Sequence, residues 1–211
     1  MRVIVGACVL ALAGVAMVVA QSQKPMSPTG TAAAQVQGKW TQDGKQFTAG
    51  RGTYSGGKWI EVTYGRPIKR GRDVFGSGAN YGKDLLVGAE IWRAGANVST
   101  QLTNEVPITL GGKALAPGTY TLFIDLKENN WTLVVSTLKA QTTYDANNKT
   151  DVWGGYNYTP DKDVARVKMK LETLPHAFEE LSWQFVDMTA SGGTLAIMWD
   201  KTLASVTFTA S

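Results

Sequence analysis

The chain has 211 residues, with 21 basic and 17 acidic side chains, a formal net charge of +4 and a single histidine and cysteine. Nucleic-acid binders carry a stronger and more clustered basic excess, so neither nucleic acid nor a membrane surface is expected as a partner. One histidine and one cysteine rule out a multi-histidine metal centre, a thiolate zinc site and an internal disulfide, and no cofactor or metal is expected.

Residues 1–20 have the pattern of a signal peptide. Arg2 supplies a positive start, Val3 to Ala20 is apolar throughout, and the chain turns polar at Gln21. The run is also close to the roughly 17–25 residues that a membrane anchor needs; the small residue before Gln21 and the lack of a charged stop favour cleavage. The chain is therefore expected to be exported, to a periplasm or beyond. Cys8 lies inside the apolar run, so the mature chain would hold no cysteine and must be stabilised by its core, which about 190 residues can bury.

Residues 21–45 are rich in Gln, Ser, Thr, Ala and Lys, with Pro25 and Pro28, and are expected to be a flexible leader to one domain over 46–211. A weak edge strand is possible over 47–54. Apolar residues then alternate over 58–64, 98–103, 106–110, 119–126, 131–135, 163–171, 178–186, 194–199 and 205–209, with turn residues between them. The pair 119–126 and 131–135 is the clearest hairpin. The only helical stretch is a short one near 83–92. This pattern predicts an all-β fold, a single antiparallel β-sandwich for which a jelly-roll-like or barrel-like variant stays open.

The stretch between the strands at 58–64 and 98–103 is the exception to that pattern. It forms a long loop over 65–97, rich in Arg66, Lys69, Arg70, Arg72 and Arg93 around Phe75, Tyr81 and Trp92. Guanidinium forks match carboxylate and phosphate, so Arg66, Arg70, Arg72 and Arg93, with Tyr81, Trp92 and Asn97, are the candidate ligand-binding residues for a small anion or a carbohydrate. The competing use of these arginines is to pair with Asp73, Asp84, Glu90 or Asp125 and staple the loop to the sandwich. Trp92, Tyr81, Trp153, Tyr156 and Tyr158 would suit a stacking platform for sugar rings or a peptide, or would fill the core.

The segments Y-G-R-P-I-K-R-G-R-D-V-F-G, I-W-R-A-G-A-N, G-G-K-A-L-A-P-G-T-Y-T-L-F, W-T-L-V-V-S, W-G-G-Y-N-Y and D-V-A-R-V, in that order, resemble the exported bacterial family called domain of unknown function 2911. The resemblance spans Phe47 to Phe208, with a longer segment here around Thr142 to Asp151. It implies an exported β-rich domain and carries over no activity.

Other motifs are weaker. His176 follows Pro175 in an expected surface loop, without the G-x-S-x-G elbow of a serine hydrolase. Asp145, Asn147, Asn148 and Asp151 have a loosely calcium-like spacing but lack the turn glycine and distal glutamate of an EF-hand loop. Asn97, Asn130, Asn148 and Asn157 head glycosylation sequons that matter only in a eukaryotic secretory pathway. Two functional readings follow. The first is a non-catalytic binding or interaction module, including one that joins a partner through an edge strand. The alternative is a hydrolase of cell-envelope or polysaccharide material that uses carboxylates such as Asp73 or Glu90 near the loop.

Overall fold

The computed structural model describes residues 25–41 and 52–211. The expected signal peptide and the first part of the weak strand over 47–54 lie outside them. The protein is an all-β sandwich, as its alternating pattern predicts. A six-stranded antiparallel sheet contains, in spatial order, β1 (Thr29–Val36), β4 (Lys58–Gly65), β5 (Gln101–Asn104), β8 (Gly118–Asp125), β9 (Thr132–Ser136) and β10 (Asp163–Lys168). A four-stranded sheet contains β11 (Lys170–Thr189), β12 (Gly192–Ala210), β6 (Ile108–Leu110) and β7 (Lys113–Leu115). A small ribbon joins β2 (Lys39–Thr41) to β3 (Thr53–Ser55).

The core lies between the two large sheets. Ile60, Val62, Leu102, Leu122, Ile124, Leu133, Val135, Ala165 and Val167 from the first meet Leu181, Trp183, Leu195, Ile197, Trp199, Val206 and Phe208 from the second. The sheets also approach along their edges, β1 beside β11 and β10 beside β7. The sandwich is thus drawn toward a flattened barrel, which leaves few open strand edges.

Two expectations are corrected. The leader over 21–45 holds β1 at its centre, paired with β4 from Thr29 opposite Gly65 to Val36 opposite Lys58. Its inward residues include Gly30 and Ala32, too small to register as apolar alternation. The space is taken by Tyr64 of the neighbouring strand, whose ring would lie 2.9 Å from a Cβ on Gly30. The strands expected over 163–171, 178–186, 194–199 and 205–209 are also redistributed. β10 is followed by a 20-residue β11 and a 19-residue β12, paired with register shifts between Thr173 and Phe178 and between Phe178 and Ser182. Pro175 and His176 are exposed in that bulged stretch, where a proline costs no ladder hydrogen bond, and not in a loop.

A smaller core covers the outer face of the six-stranded sheet. Phe123 and Val134 point away from the main core and are buried with Ile91, Ala140 and Val152, which come from the flanking loops. The irregular segment after β9 is therefore a cover for the sheet, and β8 buries both of its faces as a result.

The long loop closes on itself at the β4 end. The Ala96 amide donates to the Gly65 carbonyl at 3.2 Å, and a Cβ on Gly65 would lie 1.8 Å from the Ala96 oxygen. Only glycine allows this approach. Gly65→Ala is expected to lower stability by about 3 kcal/mol through backbone displacement, read as a fall in the urea midpoint. Gly71→Ala, at φ +72 in open space, should cost only about 1 kcal/mol.

Candidate functional site

The loop between β4 and β5 contains little regular structure, a short 3-10 turn at Gly78–Asn80 and one helical turn, α1 (Lys83–Leu86). Its position is set by aromatic rings. Phe75 packs against Tyr81, Trp92, Trp131 and Trp199 with ring centroids 5.1–6.3 Å apart. Trp92 stacks on Trp199 of β12 at 6.3 Å and 13°, and the Trp131 indole N–H donates to the Tyr81 hydroxyl at 2.7 Å. Trp92 also exchanges both backbone hydrogen bonds with Ile124 of β8, at 3.1 and 2.8 Å.

The charged residues before Phe75 dock on the bulge of β11. The Lys69 amide donates to the Glu179 carbonyl at 2.7 Å and the Arg70 amide to the Glu179 carboxylate at 3.1 Å. Arg66 pairs with Glu180 at 3.3 Å and Lys69 with Asp200 at 3.0 Å. The stapling role considered for the arginines therefore falls to Arg66. Its partner is Glu180 of β11, which is remote in sequence and was outside the set considered, Asp73, Asp84, Glu90 and Asp125.

Beside this dock lies a cavity of about 530 Å³, lined by Arg70, Arg72, Arg93, Asn97, Pro67 and Leu85 among others, with Trp92 and Trp199 at its base. Five of the seven candidate residues thus meet at one place: Arg70, Arg72, Trp92, Arg93 and Asn97. Arg66 and Tyr81 do not line it; Arg66 is in its ion pair and Tyr81 is in the aromatic cluster. Asp84 is the one carboxylate among the lining residues. Asp73 instead accepts the Gly76 amide within its own turn at 3.0 Å, and Glu90 is exposed outside the lining.

The three arginines differ in their surroundings. Arg72 donates to the carbonyls of Lys69 and Ile68 at 2.9 and 2.7 Å, which holds the turn. Arg93 donates to the Asn97 carbonyl and lies over Gly154 of the W-G-G-Y segment, where a Cβ would come 2.5 Å from the guanidinium carbon. Asn97 in turn donates its side-chain amide to Ser27 at 3.1 Å. No carboxylate pairs with the guanidinium of Arg70, Arg72 or Arg93 among the described residues, and burial pushes the Arg93 guanidinium below its ordinary value. Arg70, Val87 and Asn97, all lining the cavity, have positive φ of 52, 48 and 60, and such strained conformations concentrate at ligand sites.

The other aromatic candidates separate. Tyr158 packs edge-on against Phe123 and donates to Asp163 at 2.6 Å, so it belongs to the cover of the sheet. Trp153 and Tyr156 line a different cavity. The oxygens of the calcium-like segment bond to their own loop: Asn148 Oδ1 accepts from Thr150 and Asp151, and Asp145 accepts the Asn147 amide. Among the described residues no group of three or more His, Cys, Asp or Glu side chains converges as a metal centre.

A family described as "Protein of unknown function (DUF2911)" matches residues 48–208. The chain belongs to this family. The match takes in the arginine-bearing loop, both large sheets from β4 onward and the cover segment, and it brings no activity with it. No curated protein and no solved structure matches the chain.

Burial holds the Tyr81 phenol above its ordinary value of 10.0, with the Trp131 hydrogen bond opposing and Glu128 reinforcing the shift. The folded state thus keeps a proton that the unfolded chain loses near pH 10. This contribution is fully present below about pH 10 and is lost as pH rises through the folded value. Tyr81→Phe is expected to cost about 1 kcal/mol at neutral pH, from the lost acceptor of Trp131, and to make the fall in stability above pH 10 shallower. Urea unfolding at pH 8 and pH 11 measures both.

Proposed function

We propose that this protein is an exported, non-catalytic binding module whose arginine-lined cavity takes a small organic anion with an apolar body. The observation that carries this reading is that Arg93 and Arg70 line the same cavity and neither guanidinium pairs with a carboxylate among the described residues. A half-buried guanidinium is costly to desolvate, and an incoming carboxylate or phosphate recovers that cost through charge-assisted hydrogen bonds. Ile68, Leu85 and Val87 on the lining, above the buried Trp92–Trp199 pair, offer apolar surface next to those donors. Such a mixture of apolar walls and a few fixed polar groups is what ligand clefts use for affinity and orientation.

The pattern of the first twenty residues supports export, and the arginine geometry supports anion recognition. The experiment is a thermal-shift panel of alkyl and aryl carboxylates and phosphate monoesters, followed by titration calorimetry. A ligand at about 100 times its dissociation constant stabilises the protein by about 2.7 kcal/mol, which such a shift detects. Arg93→Ala is expected to weaken binding about tenfold to a hundredfold, the loss of one charged hydrogen-bonding fork. Arg93→Lys should recover only part of it, and Arg70→Ala should act in the same direction. Binding that survives both alanine variants, with urea midpoints unchanged, would overturn the reading.

A further inference from the structure

The segment that covers the outer sheet face carries a second cavity, of about 440 Å³, whose lining includes Gln141, Tyr144, Asp145, Trp153, Tyr156 and Asn157. Its rings are not used as the other aromatic residues are. Tyr144 is 61% exposed and Tyr156 43% exposed, while Tyr144 and Trp153 hold their ring centroids 5.7 Å apart at 52°. In the main core, rings of this size are almost fully buried.

The backbone beneath these rings is fixed. Gln141 is buried; its amide donates to the carbonyls of Asn148 and Asp151 at 3.3 and 3.1 Å, and its oxygen accepts the Asp145 amide at 2.8 Å. Asn157 donates to the same two carbonyls at 3.2 and 3.1 Å. The Tyr156 hydroxyl donates to the Val87 carbonyl at 2.6 Å. Three polar groups are left over: the Tyr144 hydroxyl, the Trp153 indole N–H and the Asn157 side-chain oxygen have no hydrogen-bond partner among the described residues. The cavity therefore presents exposed ring faces beside unused donors and acceptors on a preorganised frame.

We propose that this cavity is a saccharide-binding site that takes pyranose rings of an oligosaccharide. The C–H face of a pyranose suits the electron-rich face of an aromatic ring, and its hydroxyls can satisfy the indole N–H, the phenol and the amide oxygen together. A purely apolar ligand would leave those groups unpaired, which costs affinity. A strongly charged ligand finds only Asp145 and Lys149 of opposite sign on the lining, unlike the arginine cavity. The volume falls within the roughly 300–1,000 Å³ usual for small-ligand clefts. This inference is independent of the anion reading, because it uses none of the arginines.

The test is intrinsic tryptophan fluorescence and titration calorimetry with cellohexaose, xylohexaose, chitohexaose and laminarihexaose. At least one is expected to bind and to perturb the Trp153 emission. Tyr144→Ala and Trp153→Ala should each weaken that binding about three- to tenfold or more, the loss of one stacking ring. Tyr144→Phe, which keeps the ring, should retain most of it. Tyr144 is exposed, so its variants should unfold at the wild-type urea midpoint. Absence of binding to all four glycans at about 10 mM, ten times a dissociation constant of 1 mM, would overturn the proposal. So would binding that Tyr144→Ala and Trp153→Ala leave unchanged.

Discussion

The structure depends on one aromatic cluster. Phe75 and Trp92 from the long loop, Trp131 from the β8–β9 turn and Trp199 from β12 hold their rings within 6.3 Å of a neighbour in the cluster. Each such side chain buries roughly 150–250 Å², of order 4–6 kcal/mol at about 25 cal/mol per Å². The excursion between β4 and β5 has almost no backbone ladder of its own, so these rings and the dock on β11 supply its order. Every candidate ligand residue is placed as a consequence: Arg70 and Arg72 precede Phe75, and Arg93 follows Trp92 directly.

The arginines show how a basic loop can be divided between support and recognition. Exposed ion pairs contribute little, about 0–1 kcal/mol, so Arg66–Glu180 is a modest staple, whereas Arg166 reaches Asp125 and the buried Asp163 carboxylate. Arg93 is different, because burial without a carboxylate works against its charge. Seating it over Gly154, beneath the Asn97 carbonyl, satisfies part of its fork and leaves the remainder directed by geometry alone. On the proposed reading an anionic ligand supplies the missing counter-charge.

The cover over the outer sheet face extends the fold beyond two layers. Phe123 and Val134 need a lid, and the segment after β9 provides it with Ala140 and Val152. Gln141, Asn148 and Asn157 then stiffen that lid with side-chain-to-backbone hydrogen bonds, which replace the ladder that an irregular segment lacks. Trp153 and Tyr156 form an isolated bridge around Gly154, so one tight turn supports Arg93 on one side and the exposed rings on the other.

Much of the fold was legible in the sequence, because alternation over 58–64, 119–126 and 131–135 reports directly which face of a strand is buried. β1 was not legible, since its inward Gly30 and Ala32 give no apolar signal until Tyr64 is seen to fill the gap across the pair. The long β11–β12 ribbon was not legible either, because its bulges break the period that alternation relies on. For the candidate site, sequence alone determined the residue types: a charge-dense loop with guanidinium forks beside large rings. Only the tertiary structure decided which arginine met a carboxylate. Glu180 lies far along the chain from Arg66, and ion pairing follows distance in space, which residue spacing does not encode.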